Sequence, residues 1–220
     1  MRKVCLRVLL VLAAVTLLAA TAQADLITNG SFEDLYGTAN DGSLGFTTLT
    51  APNTTITGWT VTENSVDWIG NYWKASDGLR SIDMTGTPNN GTMASTAFAT
   101  TAGVTYRVLF DLSGNFVPGG DGAIVRNIEV MATGTLGKNY QFTEPAGWSQ
   151  TNMQWLTKEY DFTANGAFTT LTFESESTDN YRGPALDNVR VSAIPIPPSA
   201  LLLGTGLLGL VGLRFRRKSA

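Results

Sequence analysis

The sequence contains no histidine, and its only cysteine is Cys5, near the N-terminus. Histidine is the commonest general base and the commonest transition-metal ligand, so its absence excludes Ser-His-Asp and Cys-His nucleophile systems. A single cysteine cannot form a disulfide within the chain. Between residues 25 and 193 no long segment has the 3.6-residue hydrophobic period of an amphipathic helix. These absences favour a β-rich domain that folds without disulfides.

Residues 1–24 have the composition of a secretory signal peptide. A basic start is followed by an apolar run at 8–20 and by Ala-Gln-Ala at 22–24. This order predicts cleavage by signal peptidase between Ala24 and Asp25. The alternative is an uncleaved signal anchor.

Residues 194–220 form a second targeting segment with a proline-rich start, an apolar run and a basic end. The residues of this motif are Pro195, Ile196, Pro197, Pro198, Arg214, Arg216 and Arg217. The apolar run is short for a membrane span, which needs about 20 residues. The basic end predicts a single transmembrane helix at 199–213 that keeps the preceding domain outside the inner membrane.

The part between these segments, residues 25–193, is strongly acidic. It holds all 18 acidic residues of the chain but only eight of the 15 basic ones, which gives it a net charge of −10. Neutralising phosphates needs a basic face, so this charge argues against nucleic acid as a partner. An acidic surface fits solubility and cation binding.

The acidic part has the hydrophobic pattern of short strands. In residues 104–112 apolar and polar side chains alternate, as in a half-buried strand. The same pattern at 156–162 places Leu156, Tyr160 and Phe162 inward. Further strands are predicted at 56–61, 80–84, 93–98, 126–131, 140–142, 168–173 and 187–191. This many short strands with one polar face predict an all-β sandwich or barrel with antiparallel pairing.

Five motifs of the acidic part carry a resemblance to known domains. They lie at residues 29–33, 56–61, 66–73, 75–84 and 183–191. The first and last look like the end motifs of galactose-binding-like domains and carbohydrate-binding modules. The ordered set resembles the choice-of-anchor C domain of exported bacterial proteins. The resemblance implies a jelly-roll antiparallel β-sandwich over residues 25–193.

The same resemblance implies a structural Ca²⁺ ion between the two ends of the domain. Its ligands would be Glu33 and Asp187, with Asn29 and Asp83 as weaker candidates. Calcium prefers several hard oxygen ligands, and a shared ion would join the ends without a disulfide. The alternative is that Glu33 accepts backbone N–H groups at a turn and Asp187 pairs with an arginine.

Aromatic side chains give a candidate carbohydrate site. Sugars stack their C–H faces on exposed rings, and the candidates are Trp148, Trp73, Tyr72 and Trp68. Trp148, in the loop-like segment 145–150, is predicted to be the most exposed ring. The alternative places the tryptophans in the core of the sandwich.

An enzymatic function has weaker support. Glu174 and Glu176 could pair as in glycoside hydrolases, but they share a strand face that is most simply the solvated one. A small domain without histidine or a catalytic motif is more often a binding module. The sequence therefore predicts a protein that is not an enzyme.

The C-terminal tail resembles the PEP-CTERM sorting signal of Gram-negative bacteria. Ile196 stands where that family has glutamate, which makes the tail similar to the apolar Val-Pro-Leu-Pro-Ala variant. The resemblance implies processing by an exosortase-like membrane protease and a link to biofilm and extracellular polysaccharide. The alternative is a permanent single-span anchor.

Together these patterns predict an exported bacterial protein of the cell surface or extracellular matrix. The domain would first stay on the periplasmic side of the inner membrane and later reach the surface or matrix, where it binds polysaccharide. The competing interpretation is a purely structural matrix or biofilm protein without a specific ligand.

Overall fold

The computed structural model describes residues 24–36, 43–87, 89–116 and 124–195. Asp25–Ala193 forms one compact unit. A second unit, Met1–Ala24 with Ile194–Ala220, lies almost entirely outside the described residues. The predicted signal helix, the predicted transmembrane helix and the motif residues from Ile196 onward fall there. Within the described part of the chain, no helix is long and apolar enough to cross a membrane.

The described residues of the domain form thirteen strands. In chain order they are β1 Phe46–Thr50, β2 Trp59–Glu63, β3 Ser65–Ile69, β4 Ser81–Asp83, β5 Thr92–Ser95, β6 Phe98–Ala99, β7 Thr105–Gly114, β8 Arg126–Ala132, β9 Lys138–Phe142, β10 Leu156–Thr163, β11 Phe168–Thr169, β12 Leu171–Ser175 and β13 Pro184–Ala193.

Most of these strands belong to two antiparallel sheets. One has six strands in the order β1-β3-β4-β13-β7-β10, and the other has five in the order β2-β5-β12-β8-β9. The short strands β6 and β11 pair with each other. The all-β, jelly-roll antiparallel sandwich predicted from the sequence is therefore confirmed.

The core lies between the two sheets. On β7 the side chains of Val108, Phe110 and Leu112 are fully buried and lie at every second position. Phe110 meets Phe173 of the other sheet edge-on, with ring centroids 5.4 Å apart. Burying a side chain of this size contributes roughly 1.5–3 kcal/mol, so the alternation holds the two sheets together.

The two ends of the domain lie side by side. The Leu26 N–H donates to the Val191 carbonyl, and the Val189 N–H donates to the Gly30 carbonyl. The N-terminal segment therefore runs along β13, which makes the first and last motifs neighbours.

The structure corrects several strand predictions in detail. The sequence prediction omitted β1 and β3, and the strand expected at 168–173 is divided into β11 and β12. Leu156 was expected inward but is 45% exposed, because it begins β10 at the edge of the six-stranded sheet. The strand predicted at 104–112 is confirmed as β7, and the one predicted at 126–131 as β8.

A second apolar cluster covers part of the outer face of the six-stranded sheet. It consists of Ile69, Trp73, Met153 and Ala185. Trp73 and Met153 come from the loops at 70–80 and 145–155, so these loops cover the sheet locally. The loop at 70–80 also contributes Tyr72 to the cleft described next.

Candidate functional site

Four aspartates form two pairs on the outer face of the six-stranded sheet, offset by two residues along β13 because Asp83 lies opposite Ala185 and not Asp187. Asp67 of β3 is directly opposite Asp83 of β4. Asp187 of β13 is directly opposite Asp111 of β7. Side chains alternate between the faces of a strand, so these aspartates point away from the core that their neighbours fill. All four are buried.

The Asp67–Asp83 pair is enclosed by hydrogen-bond donors. The Thr48 hydroxyl donates to Asp67 Oδ1 at 2.6 Å. Asp83 Oδ1 accepts the N–H groups of Thr85 and Gly183 at 3.0 and 3.1 Å, and its Oδ2 accepts Asn115 Nδ2 at 2.7 Å. A side chain at Gly183 would collide with Thr85 and Asp83, so glycine allows this backbone N–H to approach the carboxylate.

Burial dominates the electrostatics of this pair. It raises the pKa of Asp67 to about 6, against a lowering by the Thr48 hydrogen bond. Burial, and then the neighbouring Asp67, raise the pKa of Asp83 well above its usual value, while three hydrogen bonds act in the opposite direction. Two like charges this close disfavour each other's ionised form.

A cleft of about 280 Å³ opens beside this pair. Its aromatic lining consists of Phe46, Tyr72, Phe116 and Tyr181, and its polar lining includes Asp67, Asp83, Asn115 and Arg182. Tyr181 is 57% exposed. Rings beside converging carboxylate, amide and guanidinium groups form a surface that can stack on a ligand and hydrogen-bond it.

The Asp111–Asp187 pair has a different role, because it holds a loop. Asp187 Oδ2 accepts the N–H groups of Ser76 and Asp77 at 2.7 and 2.9 Å. Asp111 Oδ2 accepts the Ser76 hydroxyl at 2.6 Å and Asn188 Nδ2 at 3.0 Å. Burial, the largest cause, raises the pKa of Asp187 to about 7 despite these backbone donors.

A β-bulge makes room for this arrangement. The β13–β7 register shifts between Asp187 and Arg190, and Asn188 has a left-handed backbone with φ 51°. Asparagine tolerates this conformation better than most residues. The bulge lets Asp187 point outward while Val189 still reaches the core.

The structure places the predicted calcium ligands at three separate positions. Glu33 and Asp187 bind backbone N–H groups of the loop at 76–80. Asp83 lies in the cleft, and the Asn29 side chain bonds Asp34 and Thr57. The described residues contain no group of three or more acidic side chains arranged for a metal ion. Both carboxylates thus have a role without an ion, and calcium at Glu33 and Asp187 stays a prediction.

The predicted carbohydrate-binding rings are also dispersed. Trp68 packs in the main core, where its indole N–H donates to the Phe32 carbonyl. Trp73 is buried in the outer cluster, and Tyr72 is half-buried and lines the cleft. Trp148 is 6% exposed, so the expectation of an exposed ring is wrong. Its ring packs against Phe116 and Phe142, and the Arg126 guanidinium lies over it.

Sequence reasoning missed most of the cleft. Tyr72 and Asp83 are predicted site residues and Asp67 is a polar neighbour of the predicted rings in the sequence, but nothing in the sequence pointed to Tyr181 or Arg182. A signal for Asp67 was present, because Val66 and Trp68 alternate with Ser65 and Asp67 as in a strand with one polar face. No local pattern indicates that Asp83 lies opposite it.

A family comparison matches almost the whole domain. The family described as "Protein of unknown function (DUF642)" matches residues 25–192. This chain belongs to the DUF642 family. The match ends within β13, so the cleft and the loop held by Glu33 and Asp187 both lie inside the DUF642 domain.

A curated relative of this DUF642 chain is Halomucin from Haloquadratum walsbyi. The two are 32% identical over 183 residues, which is 81% of this chain and 2% of Halomucin. The chain therefore spans only a small fraction of the length of that relative.

Several carbohydrate-binding modules are similar to this DUF642 domain in structure. The CBM35 of Paenibacillus barcinonensis is 24% identical, covers 67% of this chain and 99% of its own, and has a TM-score of 0.43. TmCBM61, solved with β-1,4-galactotriose, is 14% identical over 78% of this chain and 99% of its own, with a TM-score of 0.45. The CBM22-1 xylan-binding domain of Paenibacillus barcinonensis is 17% identical over 81% and 99%, with a TM-score of 0.42. Likenesses at this level do not transfer a ligand to this chain.

Proposed function

We propose that the domain binds a polysaccharide in the cleft between Tyr72 and Tyr181. The observation that carries this proposal is the lining of the cleft, where exposed ring surface lies beside the Asp67–Asp83 pair. A sugar ring has C–H faces that stack on aromatic side chains and hydroxyl groups that hydrogen-bond carboxylates and amides. The cleft is small for a ligand site, so it takes one unit of a chain.

The polar groups of the cleft are held in place before a ligand arrives. Asp83 is fixed by three donors and Asp67 by Thr48. Groups that are already ordered lose little conformational entropy on binding, so their hydrogen bonds contribute more fully to affinity. This arrangement supports a binding site, and the interpretation that the protein is not an enzyme stays a prediction.

Glycan-array binding with matched tyrosine variants tests the proposal. Tyr181→Ala should weaken binding at least about tenfold, which corresponds to about 1.4 kcal/mol. Tyr36→Ala is the control, because Tyr36 is similarly exposed, at 69%, but lies outside the cleft. Unchanged melting temperatures would show that both variants fold. Binding that survives Tyr181→Ala, or no binding to any glycan, would contradict the proposal and favour a purely structural matrix protein.

The chain ends supply the proposed cellular route. We propose export by a signal peptide cleaved after Ala24, passage through the inner membrane, and release to the surface or matrix by an exosortase-like protease. The support is the composition of residues 1–24 and 194–220. Mass spectrometry of the mature protein tests the route: a species that still ends at Ala220 would indicate a permanent anchor.

A further inference from the structure

Two more cavities are connected to the cleft through shared lining residues. The second cavity, of about 410 Å³, is lined by Asn71, Tyr72, Trp73, Lys74, Gln150 and Thr151. The third, of about 250 Å³, is lined by residues 74–76 and 151–155. Tyr72 belongs to the cleft and the second cavity, while Lys74 and Thr151 belong to the second and third. The three spaces are therefore consecutive.

The two loops that form these walls are hydrogen-bonded to each other. The Lys74 N–H donates to the Gln150 carbonyl at 2.9 Å, and the Trp155 indole N–H donates to the Lys74 carbonyl at 3.1 Å. Trp73 anchors the loop from below through a 2.8 Å bond to the Ser81 hydroxyl. These bonds fix the loops at 70–80 and 145–155 relative to each other. The second and third cavities therefore lie on one ordered surface.

The chemistry of the three spaces suits an uncharged, hydroxyl-rich chain. The second and third cavities offer the amides of Asn71, Gln150 and Asn152, the ring of Trp155, and a single charged side chain, Lys74. Asp67, Asp83 and Arg182 line the cleft end, so this lining has no net positive charge that would attract an acidic sugar. The net charge of −10 over residues 25–193 adds a long-range repulsion of acidic polymers.

We infer that the cleft and these two cavities are successive subsites for one neutral polysaccharide chain of at least three sugar units, bound along its length. This inference rests on the proposed function of the cleft. Tyr72 forms the wall between the first two subsites, and Thr151 lies between the second and the third. Each further unit adds contacts without a second ordering cost, because the loops are already fixed.

A length series tests the inference. The purified protein is applied to an array of mono- to hexasaccharides of galactan, xylan, cellulose and mannan, with alginate oligosaccharides as the acidic series. Binding is then measured by calorimetry for the series with the strongest signal. We expect Kd to fall at least about tenfold from the mono- to the trisaccharide and to change little beyond the tetrasaccharide. Alginate oligosaccharides should not bind.

A blocking variant locates the subsites. Thr151→Trp places a large side chain between the second and third cavities, so it should remove most of the gain in affinity from a longer chain. Thr54→Trp is the matched control, because Thr54 is also exposed but lines none of the three cavities. An unchanged melting temperature confirms that each variant folds.

The outcomes separate the two proposals. If no glycan of any length binds, the proposed function and this inference both fail. If a glycan binds with the same affinity at every length, or if alginate binds best, the cleft binds sugar but the extended neutral subsites are wrong. If Thr151→Trp leaves the length dependence unchanged, the chain does not follow the second and third cavities.

Discussion

Glu33 and Asp187, from opposite ends of the domain, bind the same loop. Asp187 Oδ2 accepts the N–H groups of Ser76 and Asp77, and Glu33 Oε1 accepts those of Leu79 and Arg80, both at 2.7 Å. The loop at 76–80 forms no strand, so these carboxylates satisfy backbone donors that a sheet would otherwise pair. These hydrogen bonds join both ends of the domain to one loop without a disulfide.

Removing the Glu33 carboxylate should destabilise the domain. We expect Glu33→Ala to lower the free energy of unfolding by about 2 kcal/mol, because two hydrogen bonds to a charged acceptor are lost. Glu33→Gln keeps one acceptor oxygen and should cost about half as much. Urea denaturation measures both, with the exposed Glu63→Gln as control. A Glu33→Ala variant as stable as this control would contradict the role of the carboxylate.

A substitution at Gly78 tests the contact between Glu33 and the loop at 76–80, because Gly78 is the loop residue beside the Glu33 carboxylate. Its φ is +63°, and an added side chain would meet the Glu33 carboxylate. Gly103 has a φ of +80° with open space around it, so Gly103→Ala bears only the backbone cost of about 1–2 kcal/mol. We expect Gly78→Ala to cost more than Gly103→Ala, and the difference to disappear in a Glu33→Ala background. Additive free energies across this double-mutant cycle would show that the two residues do not interact.

The buried aspartates predict that the domain is more stable in mild acid. Folding raises the pKa of Asp67 from 3.8 to about 6 and that of Asp187 from 3.8 to about 7, mainly through burial. The folded state therefore binds protons more tightly than the unfolded state. The contribution of these groups to stability is complete below the unfolded pKa and is lost as the pH rises through the folded pKa.

Thermal unfolding between about pH 4 and pH 8 measures this effect. The contribution of Asp67 should fall by on the order of 3 kcal/mol over this interval, and Asp67→Asn should flatten the profile. Asp161→Asn is the control, because the Arg107 hydrogen bond lowers the pKa of Asp161 and its titration lies at more acidic pH. A profile in Asp67→Asn with the same slope as the unmodified protein would contradict the prediction.

Two tryptophans should differ in their tolerance of phenylalanine. The indole N–H of Trp73 donates to the buried Ser81 hydroxyl, whereas that of Trp148 is buried with no hydrogen-bond partner among the described residues. Trp73→Phe should therefore cost about 1–3 kcal/mol more than Trp148→Phe, because it leaves Ser81 without its donor. Chemical denaturation of the two variants compares them directly. Equal losses of stability would show that the Ser81 bond contributes nothing measurable.

The predicted calcium ion has its own test. Chelation with EDTA should lower the melting temperature if Glu33 and Asp187 hold a calcium ion, and a Glu33→Gln variant should lose that sensitivity. A melting temperature that does not respond to EDTA leaves the carboxylates with the hydrogen-bonding role that the geometry already provides.

Local pattern was sufficient for most strands. The alternation at 104–112 and 126–131 corresponds to β7 and β8, because period two follows directly from the geometry of a strand. The pattern gave the wrong burial for Leu156. It predicts that this side chain points inward, but Leu156 begins an edge strand and is exposed to solvent. It also failed at Trp148, because a loop residue has no period from which burial can be inferred.

The sequence by itself determined that the domain is β-rich, acidic and free of disulfides, and that histidine chemistry is excluded. These properties depend on composition and on contacts between near neighbours. Tertiary structure alone decided that Asp67 lies opposite Asp83, that Glu33 and Asp187 share one loop, and that Tyr72 and Tyr181 line one cleft. The reason is physical: periodicity specifies which face of a strand a residue occupies, but only long-range pairing specifies which strand lies beside it.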